Sequence, residues 1–146
     1  MEKEKVVVDA NIIVKWFLEE EFSSKALQLR NDYIRGVITI AVPSLLEYEV
    51  LNALKYSGVY SVEELKEIGT ALNKYGFEVY ELEGRIKEFA IEIAIENNIT
   101  IYDASYIALA KHLNTILYTA DEELIQKFPN NTIHIKQYPI QQPLYT

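Results

Sequence analysis

The chain has 146 residues, 49% of them hydrophobic and 25% charged, with no cysteine and 14 Lys and Arg against 22 Asp and Glu, a formal net charge of −8. This length and composition describe one ordinary domain over residues 1–146, globular rather than disordered, with enough apolar material for a proper core. The absence of cysteine excludes disulfides, thiol catalysis and a cysteine-based zinc ribbon and fits a reducing, cytoplasmic setting, while no run of eighteen apolar residues offers a transmembrane helix.

Met1-Glu2-Lys3-Glu4-Lys5 is mixed in sign and is not expected to be a secretory signal. Val6-Val7-Val8 then reads as a short buried strand running straight into Asp9. Helical patterns are expected over residues 11–19 and 23–35, the second stopped by Gly36. Val37 to Val42 is a second β-branched run, cut by Pro43. Ser44-Leu45-Leu46-Glu47 has the form of a capping box, opening a helix that runs through Tyr56 to Ser57-Gly58. Ser61-Val62-Glu63-Glu64 repeats that start signal, for a helix ending near Tyr75-Gly76.

Phe77 to Leu82 predicts a third strand and Glu83 to Asn97 a helix. Ile99 to Tyr102 is expected to be a short extended piece, with Asp103 opening the next helix. That helix is apolar nearly all round, from Ala104 through Leu113, and so should be buried on most sides. Thr115 to Thr119 predicts a fourth strand, Asp121 a short helix, and Thr132 to Ile135 a fifth strand. Pro139 and Pro143 make residues 138–146 an extended tail. Alternating strands and helices argue for an α/β fold with a mostly parallel sheet.

Asp9, the Glu47/Glu49 pair, Asp103 and Asp121 each follow a strand or extended run. Singly, each has a plain explanation: Asp9, Asp103 and Asp121 suit helix N-caps, and Glu47 completes a capping box. Glu49 has no such role and lies at the border of an apolar helix face. Collectively they mean more, because a parallel sheet sends all its strand ends to one edge, where ligands bind. Like charges gathered there are unfavourable without something positive among them, and no Lys or Arg lies within two positions of Asp9, Asp103 or Asp121. Mg²⁺ or Mn²⁺, which take hard oxygen ligands and keep several waters, would answer that need. Such an ion would reverse the local charge, so the net charge of −8 is no bar to a phosphate substrate. His112, beside Lys111 at a helix C-terminus, and His134, alternating with Ile133 and Ile135 as an outward-facing strand residue would, read as structural, as do the eleven scattered tyrosines.

Val7-Val8-Asp9-Ala10-Asn11, Pro43 through Leu54 with Glu47-Tyr48-Glu49-Val50-Leu51-Asn52, Tyr102 through Ala110, and Thr119-Ala120-Asp121 together resemble the motifs of PIN-domain ribonucleases, in particular the VapC-type toxins of toxin–antitoxin pairs. The resemblance implies a three-layer α/β/α sandwich around a parallel, roughly five-stranded sheet. It implies an endoribonuclease whose Asp9, Glu49, Asp103 and Asp121 bind Mg²⁺ or Mn²⁺, with Asn11 and Thr119 in support by hydrogen bonding. Glu49 rather than Glu47 matches the family's glutamate, three residues before Asn52. Ala10 stands where many members carry Ser or Thr, so one polar contact is absent. A small antitoxin partner and a homodimer are implied as well. Two other readings compete. A non-catalytic PIN-like module that binds RNA or protein would be favoured by a missing carboxylate, and none is missing. A haloacid-dehalogenase-type phosphatase wants an Asp two residues after Asp9, where this chain has Asn11.

Overall fold

The computed structural model describes residues 3–140. In chain order the elements are β1 (Glu4–Val8), α1 (Ala10–Val14), α2 (Ser23–Ile34), β2 (Ile38–Pro43), α3 (Leu46–Ser57), α4 (Val62–Lys74), β3 (Glu78–Tyr80), α5 (Gly84–Asn97), α6 (Ile101–His112), β4 (Leu117–Thr119), α7 (Glu122–Lys127) and β5 (Thr132–His134). The five strands form one sheet in the order β3-β2-β1-β4-β5, and every neighbouring pair is parallel. β1 is central, with Val6 opposite Ile40 of β2 and Val7 opposite Leu117 of β4.

The chain builds outwards from β1 to β3, then crosses back to β4 and β5 on the other side. Right-handed crossovers then place α1–α4 on one face of the sheet and α5–α7 on the other, giving the expected three layers. The reversal falls between β1 and β4, which is where open parallel sheets have a crevice at the carboxyl ends of their strands. Val6, Val7 and Val8 are at most 1% exposed, so the central strand is covered on both faces, as its unbroken β-branched run implies. Ala104 to Ala110 of α6 are all buried, in line with their all-round apolar pattern. Among the described residues no helix is long and apolar enough to cross a membrane.

Several local expectations need correcting. The Ser44–Glu47 capping box does not form: the backbone N–H of Ser44 donates to Tyr80 O at 2.9 Å, continuing the sheet, and α3 begins only at Leu46. The second box does form, with Ser61 Oγ accepting from Glu64 N and Glu64 Oε1 accepting from Ser61 N. Ile99 to Tyr102 is not extended. Thr100 Oγ1 accepts the Asp103 N–H at 3.0 Å and caps α6, so Asp103 is its third residue and not its N-cap. Asn98, in the left-handed region at φ 52°, closes α5 just before that cap, and the two helices are joined by a tight turn.

The helix expected over residues 11–19 is shorter, because the chain folds back in successive turns after Val14 and Trp16 Nε1 donates to Ala26 O at 2.9 Å. His134 does not face outwards: it is buried, with its ring edge-on against Phe22, because the start of α2 covers this end of β5. Tyr138, the first residue of the expected extended tail, has extended backbone (φ −75°, ψ 138°) and is buried, donating from its hydroxyl to Asp32 Oδ2 at 2.5 Å and packing on Tyr118. The rest of the expected tail, residues 141–146, lies outside the described residues.

Candidate active site

Asp9 ends β1 and caps α1, its Oδ1 accepting from Ile12 N at 3.2 Å. Its Oδ2 accepts from the hydroxyl of Thr119, the wholly buried last residue of β4. The same Thr119 oxygen accepts from Asp121 N at 3.0 Å, so one side chain ties the end of β1 to the start of the α7 turn. Asp121 caps α7, with Oδ1 accepting from Glu123 N and Leu124 N at 3.0 and 3.2 Å. Glu49, half-buried on α3, accepts through Oε1 from the hydroxyl of Tyr106 at 2.7 Å. Asp103 extends from the first turn of α6. All four carboxylates, with Asn11, Asn52 and Tyr106, line one cavity of about 200 Å³. A cleft of about 400 Å³ beside it shares Asp103 and Asp121 and adds Glu123 and Thr100.

Capping and convergence therefore coexist at Asp9 and Asp121, where a capping carboxylate still has lone pairs to offer the cavity. Glu47 lies apart. It is exposed and borders a different cavity, between the end of β2 and the last turn of α4. Sequence reasoning missed Tyr106, taken only as one more apolar position of a buried helix. Its spacing was the available signal, since three residues after Asp103 is one helical turn along the same side. Asn52 served only to fix the motif's register, and it too borders the cavity.

No Lys or Arg lines either space, and none of the five ion pairs among the described residues involves these four carboxylates. Burial pushes the Asp9 carboxyl up to about 6; Asp121 and Glu49 add repulsion, against the hydrogen bonds from Thr119 and Ile12. Burial likewise raises Glu49, with Asp103 adding to the shift and Tyr106 opposing it. Asp103 is raised by burial first and then by Asp121 and Glu123.

The donor set is all oxygen, anionic and uncompensated, which suits a hard divalent cation. Among the described residues no group of three or more His, Cys, Asp or Glu side chains stands close enough together to hold a metal ion. An open set of this kind matches Mg²⁺ better than Ca²⁺, because Mg²⁺ keeps much of its water and needs only one or two direct carboxylates.

The geometry defines a class: a parallel α/β protein with an acidic cavity, lined by no Lys or Arg, at the switch point of its sheet. The PIN domain family model matches residues 6–129, a span holding all four carboxylates, and the chain belongs to that family. The chain is 29% identical over 135 residues to Ribonuclease VapC3 of Pyrobaculum aerophilum, covering 86% of this chain and 95% of the relative. Among solved structures it is similar to PAE2754 of Pyrobaculum aerophilum, 26% identical with a TM-score of 0.65 over 92% of this chain and 85% of that one. It also shares its fold with a chain of a toxin–antitoxin complex from Klebsiella pneumoniae, 18% identical, TM-score 0.66, covering 89% and 97% of the two chains. A chain of VapBC2 from Rickettsia felis, bound to a DNA fragment from its promoter, shares it too, at 17% identity and TM-score 0.66 over 89% and 98%.

Proposed function

We propose that this protein is a metal-dependent endoribonuclease that hydrolyses RNA phosphodiester bonds, and the toxin of a toxin–antitoxin pair held in check by a small antitoxin protein. One observation carries the reading: Asp9, Glu49, Asp103 and Asp121, from four different elements, line one cavity with no Lys or Arg among them. Its likeness to a relative named as a ribonuclease, and to chains solved within toxin–antitoxin complexes, supports the substrate and the partner. A cytoplasmic homodimer is part of the same reading.

Asp9, Asp103, Asp121 and Glu49 would hold Mg²⁺ or Mn²⁺. When bound, the ion supplies activation of a water and neutralisation of charge on the phosphate. The protein's own part is to hold the acids in place. Thr119 fixes Asp9 and the backbone of Asp121 through one hydroxyl, and Tyr106 fixes one oxygen of Glu49. Asn11 offers an exposed amide at the cavity. Ala10 brings no hydroxyl, which trims the hydrogen bonding around Asp9 without touching an acid.

The test is cleavage of single-stranded RNA by the purified chain. Cleavage should appear with Mn²⁺ or Mg²⁺, stop with EDTA, and fall by orders of magnitude in Asp103→Asn. Activity that survives EDTA, or a fully active Asp103→Asn, would sink the reading.

A further inference from the structure

His134 is a buried titratable group that the chemistry above does not use. It is 6% exposed, and its Nδ1 accepts from Lys136 N at 3.0 Å, which sets the neutral ring as the Nε2–H tautomer. Burial first, then the Lys136 and Lys15 charges, hold its pKa below the usual range against Glu122 and Glu21, so the ring stays neutral at pH 7. Nε2 has no hydrogen-bond partner among the described residues.

His134 borders a groove of about 430 Å³, roomier than the carboxylate cavity. Half-buried Ile125 and Ile133, with Pro129, give it apolar walls. Glu122, Gln126, Lys136 and Gln137 give it a polar edge. The short helix α7 separates the two spaces: Asp121 and Leu124 border the carboxylate cavity, and Glu122, Ile125 and Gln126 border the groove.

With Lys136 balanced by Glu122 and the imidazole neutral, the groove carries no net positive charge and is a poor phosphate site. Apolar walls with an N–H donor, a carboxylate acceptor and two amides, which are both donor and acceptor, suit a flat solute with a polar edge. A nucleobase splayed out of a single strand is such a solute, recognised by packing on its faces and hydrogen bonds to its edge. We propose that this groove is a base-recognition subsite, taking one unstacked base of the RNA strand whose phosphate lies at the carboxylates across α7. The inference rests on the ribonuclease reading and gives it a sequence preference.

The experiment profiles cleavage of short single-stranded RNAs, varied at each position, by the full chain and by its Gln126→Ala and His134→Ala variants. Gln126 is exposed, so its variant tests the groove even if His134→Ala fails to fold. The wild type should favour one base near the cut by roughly tenfold, the scale of one good edge contact. Gln126→Ala should flatten that preference and raise KM with kcat nearly unchanged, the mark of lost binding that is not specific to the transition state. A wild type that cuts with no base preference, or a Gln126→Ala variant with the wild-type profile, would overturn the subsite and leave the nuclease standing.

A second arm measures fluorescence anisotropy of labelled A, C and U octamers with Ca²⁺ present and the strand checked for integrity. Affinity that depends on the base and is flattened by Gln126→Ala supports the subsite even if no RNA is cut, an outcome that sinks the nuclease alone. Equal affinity for every octamer, as expected if the groove instead takes a protein segment, overturns it.

Discussion

Glu47 and Glu49 stand two positions apart on α3 and face different spaces. Glu47→Gln should leave RNA cleavage unchanged and stability within about 0.5 kcal/mol, as for other surface substitutions. Glu49→Gln should cost on the order of a hundredfold or more in kcat, the scale of losing one preorganised electrostatic group. Equal losses, or the reverse order, would show that the wrong glutamate has been assigned. Asp103→Asn separates chemistry from folding. It removes a favourable acid from the first turn of α6, but also repulsion from Asp121 and Glu123. In EDTA its stability should therefore stay within about 1 kcal/mol of wild type, while Mn²⁺ should raise its melting temperature less than it raises the wild type's. Identical metal stabilisation in both proteins would remove Asp103 from the site. The acids were readable from sequence because a carboxylate after a strand needs an explanation. Tyr106 was not, since its ring belongs to the core and only its hydroxyl reaches Glu49.

At the scale of elements, two identical-looking start signals behave differently. Ser61 closes a reciprocal capping box on α4, while Ser44 spends its backbone N–H on β3 and leaves α3 to begin at Leu46. Ser61→Ala should thus cost about 1 kcal/mol in urea unfolding, as loss of a good N-cap does, and Ser44→Ala clearly less. A larger loss at Ser44 would mean that the box governs α3 after all. The same contrast shows what sequence reading could reach. The number of strands and their places along the chain followed from β-branched runs and turn residues. The entries to α3 and α6 did not, because each was decided by a competing hydrogen bond. The Ser44 N–H had a partner 36 residues away on Tyr80, and Thr100 claimed the Asp103 N–H inside a run that looked extended. Alternation also misplaced His134, since β5 is an edge strand whose end is covered by Phe22 rather than left to water.

For the whole molecule, the acidic cavity couples folding to pH and to metal. Asp9 has a model-peptide pKa of 3.8, raised to about 6 in the fold. An acid whose pKa is raised on folding is held more readily as the neutral form by the native state than by the unfolded chain. Between those values the native state binds more protons, so stability falls as pH rises through them. The cost is absent below about pH 4 and complete above about pH 6, reaching about 3 kcal/mol for Asp9 alone at 1.36 kcal/mol per unit. Glu49 and Asp103 are shifted in the same direction and add to the effect. A divalent cation must displace those protons, so its binding weakens as pH falls below about 6. Thermal melts across pH 4.5 to 8, with EDTA and with Mn²⁺, should therefore diverge. The metal-free protein should lose stability from pH 4.5 towards neutrality, and the increment from Mn²⁺ should be small at pH 5 and large above pH 7. Mixing protein with Mn²⁺ at pH 6 in weak buffer should release protons, and the release should shrink in Asp103→Asn. A metal-free melting temperature that climbs steadily over this range would mean that burial does not hold these carboxyls up, and a Mn²⁺ increment equal at pH 5 and pH 7.5 would mean that they share no cation.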